Sequence, residues 1–135
     1  MASNSIEEAF RYKLVNTAGI TTAIGAATKI FWLEAVPKTS FPYLTYFTVS
    51  DPHAPMSFDH TDSGQVRMQV NIFDDNKGRA LSIAHTVRDA LDQVSGAIDG
   101  VTFVAMNCEG IRVLKQMDDN AYQATFDTMI QYYDV

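Results

Sequence analysis

From Gln65 to Ile72 apolar and polar residues alternate strictly, which in an extended chain sends Val66, Met68, Val70 and Ile72 to one face. That predicts a half-buried strand. After Asp74-Asp75-Asn76 the period changes: Leu81, Ala84, Val87, Leu91 and Val94 recur at three- and four-residue spacing, with Arg79, Arg88, Asp89 and Asp92 elsewhere. That predicts an amphipathic helix. A strand with one apolar face running into a helix with one apolar stripe implies a helix folded back onto a sheet, each burying the other.

The flanking segments read as partners for that pair. Ser5 and Glu8 form a capping-box pattern ahead of Ala9, Phe10, Leu14 and Val15, predicting a first helix to about Asn16. Ile20 to Ile24 reads as a further short helical turn ended by Gly25. Lys29 to Val36 and Tyr43 to Val49 are rich in β-branched and aromatic residues and read as strands. Between the second of these and Gln65 lies a long polar excursion, Ser50 to Ser63, carrying Pro52, Pro55 and the run Asp59-His60-Thr61-Asp62-Ser63-Gly64. After the helix, Gly96 reads as a stop and Asp99-Gly100 as a turn. Val101 to Met106 and Ile111 to Met117 read as short strands. Asp118-Asp119-Asn120 is a turn into a long last strand with Tyr122, Ala124, Phe126, Thr128, Ile130 and Tyr132 on one face. The sum is an α+β fold, a mostly antiparallel sheet with two main helices packed on it, in one domain spanning 1–135.

Composition narrows what such a fold does. The chain has 135 residues, 47% hydrophobic and 19% charged, enough to bury a core without staples. One cysteine, Cys108, rules out an internal disulfide and reads as a small half-buried residue. No window is an uninterrupted membrane span, and Met1-Ala2-Ser3-Asn4 has no signal-peptide character, which predicts synthesis in the cytoplasm and no membrane partner. The formal charge of -6 opposes a basic nucleic-acid-binding face.

Candidate chemistry is sparse. Asp51, His53, Asp59, His60 and Asp62 combine imidazole and carboxylate, as zinc or a harder cation requires, but their spacing fits no metal motif and such residues also suit turns. Asn76-Lys77-Gly78-Arg79 lacks phosphate-loop spacing, and Asp74 and Asp75 read as N-terminal caps of the main helix. The aromatic group Phe31, Trp32, Phe41, Tyr43, Tyr46 and Phe47 has no interleaved Lys or Arg and reads as packing rather than a base-stacking platform. These observations predict no catalytic, cofactor or metal site.

The order of the signals carries more. A capped helix leads to Ile30-Phe31-Trp32, and then through Pro37 to Phe41-Pro42-Tyr43-Leu44-Thr45-Tyr46. The strand Gln65 to Phe73, the helix Ala84-His85-Thr86-Val87-Arg88-Asp89-Ala90-Leu91, Asp99-Gly100-Val101 and a terminal aromatic strand follow. Together, from about Ser5 to Tyr133, they resemble the tail completion proteins of long-tailed bacteriophages, also described as tail terminator or tail-to-head joining proteins. The resemblance implies a small structural virion subunit that assembles into a homo-oligomeric ring of six. Such a ring caps the tail tube protein, offers a surface to the head-tail connector protein, and lets DNA pass its lumen without specific binding. It also implies no enzyme activity. A ring needs two different patches per subunit. The first candidates for inter-subunit or partner contact are Asp51, His53, Phe58, Asp59, His60 and Asp62 in the long excursion, with Tyr43 and Tyr46 on the strand before it. Asp59, Asp62, Asp118 and Asp119 are candidates to face the lumen and repel DNA. Two alternatives compete: another neck component, a connector or stopper, and a cytosolic small-molecule-binding domain with a concave cleft.

Overall fold

The computed structural model describes residues 6–33, 35, 39–50, 62–98, 101–115 and 121–134. Three helices pack on one mixed, mostly antiparallel sheet. Helix α1 (Ile6–Val15) buries Ile6, Ala9, Phe10 and Leu14, which fall on one stripe at helical spacing. Helix α2 (Ala18–Ile24) buries Ile20 and Ile24 and ends at Gly25, whose φ of 108° suits a residue without Cβ. The short turn read at Ile20 to Ile24 is therefore a third helix, beginning two residues earlier. Helix α3 (Lys77–Leu91) buries Ala80, Ile83, Ala84, Val87 and Leu91. Its buried stripe runs through Ala80 and Ile83 rather than Leu81, and Val94 lies past its end, because Asp92 is extended and Gln93 has φ 68°.

The strands are β1 (Ile30–Trp32), β2 (Tyr43–Ser50), β3 (Asp62–Asp74), β4 (Gly96–Ile98), β5 (Val101–Cys108), β6 (Arg112–Lys115) and β7 (Tyr122–Asp134). The sheet order is β1-β2-β3-β7-β5-β4, with β6 also on β7. Only β1–β2 is parallel among the pairs of described strands. Strands β3 and β7 pair along 13 residues each, from Asp62↔Asp134 to Asp74↔Tyr122, a ribbon about 40 Å long at ~3.3 Å per residue. β5 and β6 run consecutively along the other edge of β7, from Val101↔Asp134 to Lys115↔Tyr122, with Glu109 to Ile111 interrupting the ladder.

The alternation read in β3 is realised: Val66, Met68, Val70 and Ile72 are fully buried and face Ile130, Thr128, Phe126 and Ala124. These, with Leu44, Tyr46, Val101, Phe103 and Met106, meet the helix stripes in one cluster. Phe10 and Tyr46 close it edge to face, ring centroids 5.5 Å apart. Helix α1 touches both β1 and β4, which stand at opposite edges of the sheet, so the sheet curls around it. The Arg11 guanidinium fastens α1 to β1 by donating to the Ile30 carbonyl at 2.7 Å.

Three local readings are corrected. The strand read at Lys29 to Val36 is confined to Ile30–Trp32, because Leu33 adopts φ 75° and turns the chain out of the ladder. Gly96, read as a stop, instead opens β4 with φ 109°. The N-cap of α3 is Asn76, whose side chain accepts from the Arg79 N–H at 3.0 Å, while Asp74 is a buried ion-pair partner.

Candidate assembly surfaces

The face of the sheet turned away from the helices separates into aromatic and ionic regions. Tyr43 and Phe73, cross-strand partners, stack with centroids 5.0 Å apart. Phe41 stacks on Tyr43 at 5.7 Å and Phe31 meets it edge-on at 6.4 Å. All four rings are half-buried, so this is a sheet-face ladder rather than interior core. Beside it runs a buried polar row in register across three strands, Thr45, Asn71 and Thr125. Asn71 Nδ2 donates to Thr45 Oγ1 at 3.4 Å and Gln123 Nε2 donates to Asn71 Oδ1 at 2.7 Å.

Farther along, Arg67 Nη1 lies 2.9 Å from both Glu109 Oε1 and Asp127 Oδ2, and Arg112 Nη2 approaches Asp127 Oδ1 at 3.6 Å. The hydrogen bond to Asp127 and the charge of Glu109 push the Arg67 guanidinium above its ordinary range. The cluster ties β3, β7 and β6 together with the Glu109 to Ile111 interruption. It alternates charge and gathers no unpaired acid or base that would act in catalysis.

Among the described strands two stretches of sheet edge have no partner. β1 covers β2 only from Leu44 to Tyr46, and no described strand covers Phe47 to Ser50. On the opposite side β4 covers β5 only from Val101 to Phe103, and beyond it the outer edge runs through Val104 to β6. Each edge carries a break in register with a large aliphatic at it, Val49 between Thr48 and Ser50, and Val104 between Phe103 and Ala105.

Of the residues singled out in the sequence, Tyr43 joins the outward aromatic ladder, but Tyr46 is 1% exposed and packs on Phe10 inside the subunit. Burial raises the Tyr46 phenol above its usual range, and the Arg11 guanidinium partly offsets this. Asp62 opens β3, opposite Asp134. Asp51, His53, Phe58, Asp59, His60, Asp118 and Asp119 lie outside the described residues. Their anchors are informative nonetheless: Asp62 stands at one end of the β3–β7 ribbon and Lys115 and Tyr122 at the other, while Ser50 pairs with Arg67 near its middle. The strand from Tyr43 to Val49 is the one the sequence marks as an edge for subunit contact; the second edge, along Val104 and β6, and the Arg67 cluster were not singled out beforehand. The alternating Arg112-Val113-Leu114-Lys115 marked a strand there but not its free side.

A groove of about 490 Å³ between α1 and β4 is lined by Tyr12, Lys13, Asn16, Thr17, Ala97 and Ile98, and gathers one charged side chain. Among the described residues no group of three His, Cys, Asp or Glu stands close enough to share a metal, and no helix is long and apolar enough to cross a membrane. Cys108 is half-buried against Thr128, Sγ to Oγ1 3.5 Å, and burial pushes its thiol up to about 11.

Comparison with known proteins decides what kind of molecule carries these surfaces. The family model for tail completion protein gp17 matches residues 8–133, from the first turn of α1 to the end of β7. The chain belongs to the tail completion protein gp17 family. It is thus a structural tail or neck protein of a phage-type virion. Of 34 solved chains that resemble it, one from the virion of a native gene transfer agent (GTA) particle superimposes with a TM-score of 0.72. That likeness, at 14% identity, covers 96% of this chain and 95% of that one. At that identity it shows that the tail completion chain shares a fold with a protein seen inside a particle. No curated protein sequence matches the chain.

Proposed function

We propose that this tail completion protein closes head to tail into a ring of six on the tail tube, ends tube growth and presents the opposite rim to the head-tail connector. The observation that carries the reading is the family match over residues 8–133, to which the fold shared with a gene transfer agent virion chain adds support. The subunit's form suits the role. A ring built from one repeated contact needs two unlike patches on each copy, and the sheet has two unlike open edges. The role needs no chemistry, and the buried carboxylate of Asp74 and the largely buried one of Asp127 are held in structural pairs with Arg79 and Arg67.

DNA passes the lumen without specific binding in this reading, in keeping with a formal charge of -6. Asp59 and Asp62 on one side, and Asp118 and Asp119 on the other, are the acids assigned to the lumen. Asp62, which ends the first acidic segment, and Tyr122, which follows the second, lie at opposite ends of a ribbon about 40 Å long. Asp51, His53, Phe58 and His60, with Tyr43 on the adjoining face, are assigned to contact with a neighbouring subunit or the tube.

Sedimentation with multi-angle light scattering, alone and with tail-tube protein, tests the reading. A closed oligomer in either condition is expected; a monomer in both contradicts it. Binding to portal-bearing heads but not to tubes would instead mark the connector or stopper role within the same neck.

A further inference from the structure

The exposed apolar residues of this chain are not scattered. Among the described residues six large hydrophobics are strongly exposed, and five of them lie on the two open sheet edges: Trp32, Leu33 and Val49 on one, Val104 and Leu114 on the other, each between 47% and 64% exposed. The sixth, Tyr12, is on α1. Isolated surface hydrophobics are ordinary, but gathering them along edges that also offer unpaired backbone donors and acceptors marks those edges for pairing.

Leu33 stands where the described pairing along the first edge ends. Its backbone N–H donates to the Tyr46 carbonyl at 2.8 Å, the last described bond from this segment to β2, and its φ of 75° departs from extended backbone. A bulky side chain in that conformation is strained, and among the described residues no strand pairs with Phe47 to Ser50 beyond it. Four residues of β2 match in length the four of β6, Arg112 to Lys115, whose outer side likewise has no partner among the described strands. The charges are complementary as well. Arg112 and Lys115 make β6 basic on an acidic chain, while Glu7 lies beside the β2 edge, accepting from Thr48 Oγ1 at 3.3 Å.

We propose that the occupant of the Phe47–Ser50 edge is a second copy of this chain, presenting the outer edge of its β6. The sheet then runs on from subunit to subunit, with the exposed Val49 facing the neighbour's Leu114. The inference rests on the ring reading above and specifies its joint. It also places the subunit contact on the Val49 side of β2, rather than at Tyr46, which the core already holds.

The test uses the full chain with Cys108→Ser, adding Val49→Cys and Leu114→Cys singly and together, treated with a short bis-maleimide. A ladder of linked subunits in the double variant, and none in either single variant, is expected. Leu114→Asp, at an exposed position that leaves the fold intact by circular dichroism, is expected to weaken association at least tenfold in sedimentation. If the unmodified chain forms a ring while the double variant gives no ladder and Leu114→Asp assembles as before, the joint is wrong and the ring reading stands. If the unmodified chain stays monomeric even with tube protein, the ring reading fails and the joint with it.

Discussion

Arg79 reaches back from the first turn of α3 to grip the carboxylate of Asp74 at the end of β3, Nε to Oδ2 at 2.5 Å and Nη2 to Oδ1 at 2.6 Å. The Asp74 side chain is completely buried while Arg79 is half exposed, so the pair is a clamp across the turn that joins the central strand to its helix. Removing the exposed partner leaves a buried charge with little compensation. Arg79→Ala is expected to lower unfolding stability by about 2–3 kcal/mol, discounted for the solvent that reaches the guanidinium. Asp74→Asn, which leaves no buried charge, is expected to cost about 1 kcal/mol. Urea titration of the two variants gives the order; equal losses would contradict the clamp.

The same pair sets an acid limit. Burial raises the Asp74 carboxyl, but hydrogen bonds from the Arg79 guanidinium, the Arg79 charge and the hydrogen bond from the Asn76 N–H outweigh it, and the net direction is below the ordinary carboxylate range. A group depressed in the folded state adds stability that is fully present above its unfolded value near ~4 and fades as pH falls through the folded one. The thermal midpoint of the native chain should therefore drop more steeply below about pH 4 than that of Asp74→Asn. Parallel curves would show that the pair does not stabilise the fold.

Phe10 is the plug of the curled sheet, fully buried and edge-on to Tyr46. Phe10→Ala opens a cavity between α1 and β2 and is expected to cost about 3–5 kcal/mol. Urea unfolding checks the magnitude, and a loss near 1 kcal/mol would mean that α1 is not part of the core.

Leu33 makes a local prediction of opposite sign. At φ 75° and largely exposed, it loses little packing when shortened. Leu33→Gly is expected to be neutral or to gain about 0.5 kcal/mol, whereas β-branched Leu33→Ile should cost ~1 kcal/mol or more. Thermal denaturation of both variants separates backbone strain from side-chain packing.

Cys108 should be slow. With its thiol near 11, alkylation of the native chain at pH 8 is expected to run roughly a hundredfold slower than in urea, before any steric hindrance. Reaction at the unfolded rate would put the thiol outside the sheet.

What the sequence disclosed follows from which forces act locally. β3 and β7 alternate because one face of each meets the helices, and α3 is periodic for the same reason, so these three were legible. β4 was not: Gly96, Ala97 and Ile98 have no alternation to show, and a glycine at φ 109° reads as punctuation. The start of β3 at Asp62 was hidden because Asp62-Ser63-Gly64 is turn-like in composition, yet it is held in extension by β7 alone. Asp74 looked like a cap since position predicts caps, whereas its burial depends on the fold. The aromatic group divided because Phe31 and Tyr43 alternate away from Tyr46 along their strands. The second open edge, along Val104 and β6, was invisible for a plainer reason: sequence period tells which face a residue takes, not whether a neighbouring strand is present.

The claim at the centre of this account is that the chain completes a tail. Electron microscopy of tails assembled with and without it tests that most directly. With it, tubes of uniform length ending in a ring that joins heads are expected; without it, overlong tubes that join none. Tails identical in length and in head attachment whether or not the chain is present would contradict the account.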